Sequence, residues 1–438
     1  MNKKIYVAHQ GSNDVRELIH GVTIDLGAGA HPSSIALDPT ANRLYVAEEA
    51  LDRLTVIDTT TDTLLTRRPV GDMPRVVRVN PVTHRVYVAN VNSDSVSIMD
   101  GDTWAVNTIA VGDGPVAMDI NTHTNKVYVV NHGGNSVTRI DGATDATRTI
   151  NLWSGAHPTD VAVNPVTNRI YVTNYDLHTV TVINGASDTM LSTFSLGGAS
   201  NPVRVAVNPI TNKIYVTNWG SNQVSVIDGA SNLVSNLPSM GNNPRPLTVN
   251  VATNKVYVVN TDTNNLTVID GARDRIAYAG LTVGVGTLVV VPFLDGAVTV
   301  NMAGNSLTSI PCQQNTNLIP LMTTITPLPG HTARGATVRF NFTANSGYTP
   351  IAPPVRQIYF QSDTLTGRRL RASPDGASGS GSTSSLTRGL HFVYAFAVDG
   401  QEATSVNTGL QSSPIPGFVT FYQFLVTDAR LHLPIIVR

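Results

Sequence analysis

One tyrosine recurs along most of the chain at nearly constant spacing. It stands inside the motif Asn-Pro-Val-Thr-Asn-Arg-Ile-Tyr-Val-Thr-Asn, whose clearest copy runs from Asn164 to Asn174. The equivalent tyrosines, at intervals of 42, 41, 43, 44 and 42 residues, are Tyr45, Tyr87, Tyr128, Tyr171, Tyr215 and Tyr257. A period near forty with four short apolar runs per unit is typical of a β-propeller, in which one repeat forms one four-stranded blade. The repeat therefore predicts an all-β propeller.

Residues 158–198 show the four strands of one repeat. Strand A follows Pro158, strand B covers Arg169 to Thr173, strand C covers Thr179 to Ile183, and strand D lies near residues 191–196. Between strands C and D, Asn184-Gly185 predicts a two-residue hairpin with a type I′ turn. The strand A positions of the repeats follow six prolines: Pro32, Pro74, Pro115, Pro158, Pro202 and Pro244.

The two ends of the repeat region carry incomplete units. Residues 5–26 resemble strands B, C and D, and residues 288–310 resemble strands A, B and C. An unclosed ring would leave two exposed sheet edges, so we expect the N-terminal strands to complete the last blade. This closure predicts a seven-bladed propeller, with eight blades as the alternative because one or two strands are left over.

The repeat resembles a known family at specific residues. Tyr-Val-Thr-Asn stands at residues 171–174 and 215–218, preceded by Asn-Pro-Val-Thr-Asn or Asn-Pro-Ile-Thr-Asn and followed by Val-Ile-Asn-Gly-Ala or Val-Ile-Asp-Gly-Ala. This pattern is similar to the YVTN β-propeller repeat family over about residues 1–310. The resemblance implies a seven-bladed propeller, commonly on secreted or cell-surface proteins of bacteria and archaea. A more distant similarity links it to propeller lactonases and streptogramin lyases. The family supplies no shared catalytic motif to carry over.

After Ile310 the period stops, and a second domain is predicted. Residues 311–335 are rich in Pro, Thr and Asn, which indicates a linker leading into a first strand. Strand-like runs follow at residues 336–344, 355–361, 389–398 and 419–427, and a glycine-serine stretch at 376–385 predicts a flexible loop. Several alternating strands in residues 336–438 favour a small antiparallel sandwich resembling an immunoglobulin-like module.

Composition narrows the classes of partner. The formal net charge is −1 and charged residues make up 13% of the chain, so bulk electrostatics do not favour nucleic acid or an anionic membrane. No run of about 18 apolar residues predicts a membrane span. Cys312, the one cysteine, permits neither an intramolecular disulfide nor a cysteine-based metal site. The chain begins directly with a strand-like run rather than a secretion signal. Low charge and Thr/Asn/Ser richness still favour an extracellular or periplasmic location.

Loop variation predicts which face of the propeller is functional. The A–B and C–D loops are uniform in sequence, and uniform loops suit the scaffold. The D–A and B–C loops vary, and sites are carried by variable loops on a rigid scaffold. On that face, histidines precede strand A at His31 and His157, and a B–C loop adds His132. We regard these three as candidate catalytic residues, because imidazole titrates near neutrality.

Candidate ligand-binding residues come from the same face and from strand A near the central opening. They are Arg75, Arg78, Asp119, Asp160, Arg204, Arg245, Tyr175, Trp219 and Glu48. The column that follows the Tyr-Val pair is usually asparagine, which suggests backbone capping, and His9 and Glu48 interrupt it. Charged groups on an innermost strand need a partner, a ligand or water. They could pair with one another across a water-filled channel, the arginines could bind a carboxylate or sugar acid, or a histidine could act as general acid or base.

Two classes of function follow. The first is an exported propeller that binds a small polar or anionic, sugar-like ligand or a partner, including cell-surface components. The second is a lyase or hydrolase that acts on a sugar-like or lactone substrate at the channel mouth. No Gly-x-Ser-x-Gly, His-Glu-x-x-His or phosphate-loop motif occurs. No cofactor is predicted, and no spaced ligand motif predicts a metal, although a divalent ion in the central channel remains an alternative.

Overall fold

The structure is a computed structural model with side chains. It describes residues 4, 6–17, 20–238, 241–251, 254–282, 287–293, 296–301, 306–310, 321–326, 328, 332–334, 337–346, 355–362, 370–374, 377–383, 386, 389–402, 414–416 and 420–427. The chain divides into two compact units, Met1–Pro311 (unit 1) and Cys312–Val437 (unit 2). Both are all-β. Among the described residues, no helix has the length and hydropathy needed to cross a membrane.

The described residues of unit 1 form eight successive antiparallel sheets, six with four strands and one with three at each end. Sheet 1 contains β1 Tyr6–His9, β2 Asp14–Glu17 and β3 Val22–Asp25. Sheet 2 contains β4 Pro32–Asp38, β5 Arg43–Glu48, β6 Arg53–Asp58 and β7 Thr63–Pro69, with a 3₁₀ turn at Glu49–Leu51. Sheet 3 contains β8 Pro74–Asn80, β9 Arg85–Asn90, β10 Ser95–Asp100 and β11 Val106–Ala110. Sheet 4 contains β12 Pro115–Asn121, β13 Lys126–Asn131, β14 Ser136–Asp141 and β15 Thr147–Asn151.

The remaining sheets of unit 1 repeat this order. Sheet 5 contains β16 Pro158–Asn164, β17 Arg169–Asn174, β18 Thr179–Asn184 and β19 Thr189–Ser195. Sheet 6 contains β20 Pro202–Asn208, β21 Lys213–Asn218, β22 Gln223–Asp228 and β23 Val234–Leu237. Sheet 7 contains β24 Pro244–Asn250, β25 Lys255–Asn260, β26 Asn265–Asp270 and β27 Arg275–Thr282. Sheet 8 contains β28 Thr287–Phe293, β29 Gly296–Asn301 and β30 Ser306–Ile310. These are blades of a β-propeller, as the repeat predicts.

The recurring tyrosine is buried between neighbouring sheets. Tyr171 on β17 is 0% exposed and packs with Val205 and Ile214 of sheet 6. Its five equivalents are 0–1% exposed: Tyr45, Tyr87, Tyr128, Tyr215 and Tyr257. A sheet of this width cannot bury both faces by itself, so each blade depends on its neighbours.

Hydrogen bonds between the uniform loops connect one sheet to the next, and we call this series of bonds the inter-sheet belt. Asn164 Nδ2 donates to Asn212 Oδ1 of the next sheet at 2.8 Å, and Arg169 Nη1 donates to Gly229 O at 2.8 Å. The same asparagine link joins Asn80 to Asn125, Asn121 to Asn168 and Asn208 to Asn254. These loops are uniform because each must meet the same partner in the adjacent sheet.

The predicted two-residue C–D hairpin is wrong. β18 ends at Asn184 and β19 begins at Thr189, so the turn has four residues, and its left-handed residue is Asp188, with φ 53°. Asn184 Oδ1 accepts the backbone N–H of Ala186 at 2.8 Å, which forms an Asx turn. Gly185 is needed for space instead, because a Cβ there would lie 2.1 Å from Asn168 Oδ1.

The blade count stays a prediction. Among the described residues, no ladder of hydrogen bonds joins β1–β3 to β28–β30; each forms its own three-stranded sheet. β1 packs beside β4, and β28 packs beside β24 and β25. The terminal sheets therefore extend the series of blades at its two ends.

Unit 2 has two sheets. The first pairs β31 Leu321–Ile325, β33 Val338–Ser346 and β36 Ser378–Thr383. The second has the order β32 Thr332–Arg334, β39 Thr420–Thr427, β37 Gly389–Glu402, β34 Val355–Ser362 and β35 Leu370–Arg371, with β38 Pro414–Pro416 beside β37. The core includes Phe340 and Phe342 of the first sheet and Phe360 and Val393 of the second. Its immunoglobulin-like character stays a prediction, and residues 311–320 of the predicted linker lie outside the described residues.

The predicted flexible loop at 376–385 is wrong. Residues Ser378–Thr383 form β36, which pairs along β33 from Val338↔Thr383 to Thr343↔Ser378. The Phe360 ring packs directly on this strand, since a Cβ on Gly381 would lie 2.1 Å from that ring. The small residues therefore leave room for a neighbouring aromatic side chain.

Candidate ligand-binding face

A recurring pair of hydrogen bonds joins each D–A loop to the B–C loop of the preceding sheet and to the B–C loop of its own sheet. The residue before the proline of strand A has a positive φ in six sheets, as in His31 (47°) and His157 (41°). Its N–H is bound by a side chain of the preceding B–C loop, as from His157 N to Asn135 Oδ1 at 2.8 Å. Its C=O accepts the N–H that opens the B–C loop of its own sheet, as from Tyr175 N at 3.3 Å. Both histidines thus occupy a fixed backbone position.

His157 and His132 lie together on this face. Their ring centroids are 5.3 Å apart. His157 Nδ1 is bonded to the Asp176 carboxylate, and His132 Nδ1 lies 3.0 Å from Pro158 O. Since a carbonyl oxygen can only accept, His132 carries a proton on Nδ1 and, when neutral, leaves the Nε2 lone pair free. The carboxylate of Asp176 orients His157 in the same way.

Tyr175, Trp219 and Arg245 form an aromatic and cationic group on the same face. The rings of Tyr175 and Trp219 stack with centroids 6.2 Å apart, and Arg245 Cζ lies 5.6 Å from the Trp219 ring centroid. Trp219 is 37% exposed. Arg245 Nε donates to Asn243 Oδ1 at 3.0 Å, and Asn243 Nδ2 donates to Asp262 Oδ1 at 3.0 Å. No salt bridge engages Arg245 within the part of the chain that the structure describes, so its terminal nitrogens remain for a ligand.

His31 belongs to a separate group. It lines a shallow cleft of about 280 Å³ with Glu49, Asp72 and Met73. Arg75 reaches this group through Glu49, whose Oε1 lies 3.2 Å from Arg75 Nη2. The structure therefore divides the predicted site. His132, His157, Tyr175, Trp219 and Arg245 form one arc, and His31 with Arg75 lies apart.

Glu48 is a buried residue that bonds to side chains of its own sheet. It is 0% exposed, its Oε2 lies 2.5 Å from Arg53 Nε, and Thr55 Oγ1 donates to its Oε1. Sheets 3 to 7 place asparagine here, as in Asn90, whose Nδ2 donates to Ser95 and Ser97. The asparagine column thus bridges side chains of strand C, which corrects the predicted backbone capping. Glu48, Arg53 and Thr55 form a charged version of that bridge, so Glu48 does not present its carboxylate to the loop face.

The charged residues of strand A form a third group in the channel. Asp119 Oδ2 accepts the N–H of Val163, and Asp160 Oδ2 accepts that of Val205, at 2.8 and 3.0 Å. Each carboxylate therefore binds the inner edge of the next sheet. Desolvation raises the pKa of both, while Arg78 acts on both in the opposite direction.

The Arg204 charge also opposes the rise in the pKa of Asp160, and the charge of Asp160 adds to the rise in the pKa of Asp119. No direct salt bridge joins Arg78, Asp119, Asp160 and Arg204, all of which the structure describes. Their formal charges, two positive and two negative, cancel. Nowhere in the described residues do three or more His, Cys, Asp or Glu side chains converge in a group that could hold a metal ion.

Sequence reasoning missed three residues of the arc. Asp176, Asn243 and His178 are single polar loop residues without a motif around them. Their partners lie 19, 2 and 23 residues away, on loops of the same or the next sheet. The repeat could have pointed to His178, because the equivalent positions in other sheets hold Asn or Asp.

Comparison with known proteins gives the fold. No protein-family model and no curated protein sequence matches the chain. A chain of hydrazine synthase from Kuenenia stuttgartiensis aligns with a TM-score of 0.54 and 22% identity, over 65% of this chain and 96% of its own. Virginiamycin B lyase from Staphylococcus aureus aligns with a TM-score of 0.54 and 11% identity, over 70% of this chain and 99% of its own.

A catalytically inactive histidine-to-alanine variant of that lyase, solved with quinupristin, aligns with a TM-score of 0.52 and 12% identity, over 68% and 95% of the two chains. At these identities the likeness shows the β-propeller fold alone.

Proposed function

We propose that unit 1 binds a small anionic, sugar-like ligand at the arc of His132, His157, Tyr175, Trp219 and Arg245. The observation that carries this proposal is the setting of Arg245. Its Nε donates to Asn243 and its Cζ lies 5.6 Å from the Trp219 ring centroid, so two contacts orient the guanidinium before a ligand arrives. A guanidinium in a fixed orientation suits a carboxylate, which it can bind through two parallel hydrogen bonds.

The neighbouring groups support the same class of ligand. Trp219 and Tyr175 offer an apolar surface, and aromatic residues with arginine are enriched where binding energy is concentrated. His132 and His157 present ring nitrogens that can bind hydroxyl groups. The YVTN resemblance and the composition support an exported protein, so sugar acids of cell-surface polymers are the ligands to test first.

The test is calorimetric titration of the full chain with glucuronate, galacturonate and their oligomers. We expect Arg245→Lys to weaken binding at least about tenfold, because lysine retains the charge and loses the planar fork. Arg75→Lys is the matched control, since Arg75 is already paired with Glu49 in the separate group. The proposal fails if no uronate binds, or if both variants bind like the wild type.

A second candidate is a lyase or hydrolase at the same arc. The observation in its favour is the bond between His157 Nδ1 and Asp176, which fixes the ring and leaves Nε2 as a base. The similar solved structures include lyases, one of them inactive without a histidine. Turnover of oligouronates, followed by the absorbance of unsaturated products, tests it. His157→Gln should abolish turnover and leave binding within a few fold; turnover retained in this variant would exclude the role.

A further inference from the structure

One inter-sheet hydrogen bond of unit 1 has a titratable acceptor. In six sheets, the backbone N–H before strand A is bound by a side chain from the preceding sheet. The six acceptors are Asn13, Asp52, Asp94, Asn135, His178 and Asn222. Five of them present an amide or carboxylate oxygen. His178 presents a ring nitrogen, which accepts a hydrogen bond only while it is unprotonated.

His178 Nδ1 lies between a donor and an acceptor. It is 3.1 Å from the Asn201 backbone nitrogen and 3.1 Å from Tyr175 O. A neutral ring with its proton on Nε2 accepts from Asn201. A protonated ring donates to Tyr175 O and turns an N–H toward the N–H of Asn201. Protonation therefore exchanges the bond between sheets for a bond within one loop.

Asn201 connects this bond to the aromatic part of the arc. Its O accepts the N–H of Trp219 at 2.9 Å, and its Nδ2 lies 3.4 Å from Tyr175 O. Its φ of 53°, directly before Pro202, is a strained conformation that depends on its surroundings. Loss of the His178 bond removes one of the contacts that maintain it.

We propose that neutral His178 is a positioning residue for Tyr175 and Trp219, and that its protonation releases Asn201 and weakens ligand binding. The binding part rests on the proposed function; the change in the Asn201 backbone does not. The titratable residues of the surrounding loops are Asp176, in the same loop as His178, and His157, which pairs with Asp176. Loops 196–201 and 219–222 contribute none.

The conformational test is amide hydrogen exchange of the full chain between pH 7.5 and 5, corrected for intrinsic rates. We expect protection at Asn201 to fall about fivefold or more at the lower pH, as for a typical coupling between sites. The Asn243 amide, bound by Asn222, is the internal control and should keep its protection. Equal behaviour of both amides would overturn the proposal.

Two variants separate His178 from its neighbours. His178→Asn introduces the residue type of three of the other five acceptors and should make Asn201 protection independent of pH, with His157 and Asp176 unchanged. Asn222→His should transfer the pH dependence to Asn243. A pH dependence that persists at Asn201 in His178→Asn would contradict the assignment.

Binding of glucuronate oligomers gives the second measurement. The wild type should bind about fivefold more weakly at pH 5 than at pH 7.5, and His178→Asn should lose the part of that change that His178 causes. If no uronate binds while Asn201 protection responds to pH, the proposed ligand is wrong and the positioning role stands. If binding is measured and both proteins show the same pH dependence, the positioning role is wrong.

Discussion

Asp38 and His84 form an ion pair at the position where other sheets are joined by two asparagines. Asp38 Oδ2 lies 2.7 Å from His84 Nδ1, and Asp38 is 0% exposed. The corresponding link elsewhere is the 2.8 Å bond between Asn164 and Asn212. One link of the inter-sheet belt is therefore titratable, and the hydrogen bond to Asp38 raises the pKa of His84.

This pair predicts a pH dependence of stability. A raised pKa in the folded state means that the contribution is complete below the unfolded value, about 6.5, and is lost as pH rises through the folded value. We expect the free energy of unfolding to fall between pH 6 and pH 9, as measured by denaturant titration. The double variant Asp38→Asn, His84→Asn restores the asparagine pair and should remove that fall. An unchanged pH profile in the double variant would assign the effect elsewhere.

The burial of the Tyr171 ring between two sheets predicts that its removal strongly lowers the stability of the propeller. Tyr171→Ala should lower the free energy of unfolding by about 3 kcal/mol or more, because it removes a ring packed between two sheets. Tyr171→Phe, which keeps the ring, is the control and should cost much less. Thermal or chemical unfolding measures both. Equal stability of Tyr171→Ala and wild type would refute the packing role.

Replacing Glu48 is expected to lower the stability of unit 1 without weakening ligand binding. Glu48→Ala leaves Arg53 Nε and Thr55 Oγ1 without their acceptor and should cost about 2–3 kcal/mol, less than breaking a fully buried pair, since Arg53 is partly exposed and keeps its bond to Leu26 O. Glu48→Asn with Arg53→Ser rebuilds the arrangement of the other sheets and should recover most of it. Uronate affinity should stay within twofold; a large loss in the folded double variant would return Glu48 to the ligand-binding residues.

The contact between Gly381 and Phe360 predicts that the stability effects of substitutions at these two residues are coupled. Gly381→Ala should lower stability by about 1–3 kcal/mol, because the new methyl group overlaps the Phe360 ring. Phe360→Leu should make the glycine substitution less costly, which a double-mutant cycle measures. Additive effects in calorimetry of the full chain would show that the two residues do not compete for the same space.

The sequence predicted the architecture of unit 1 well, because each blade of a propeller corresponds to one copy of a sequence repeat. Each copy of the tyrosine must meet the same neighbours, so the period near forty and the uniform loops are direct consequences of the packing. The repeat also accounts for Glu48 once the structure is known. Glu48, Arg53 and Thr55 occupy the positions that Asn90, Ser95 and Ser97 hold in sheet 3. The glycine-serine segment was mistaken for a loop because composition does not reveal that Phe360 lies across it.

The candidate site was predicted only in part. Chain order identified His157, Tyr175, Trp219 and Arg245 as residues of one face, since the topology of a blade fixes which loops emerge together. It could not separate His31 from His157, or show that Asn243 orients Arg245 and that His178 lies between Asn201 and Tyr175. The sequence by itself determined the repeat and which loops share a face. Only the tertiary structure decided which side chains meet, because those contacts join loops of different sheets and leave no local pattern along the chain.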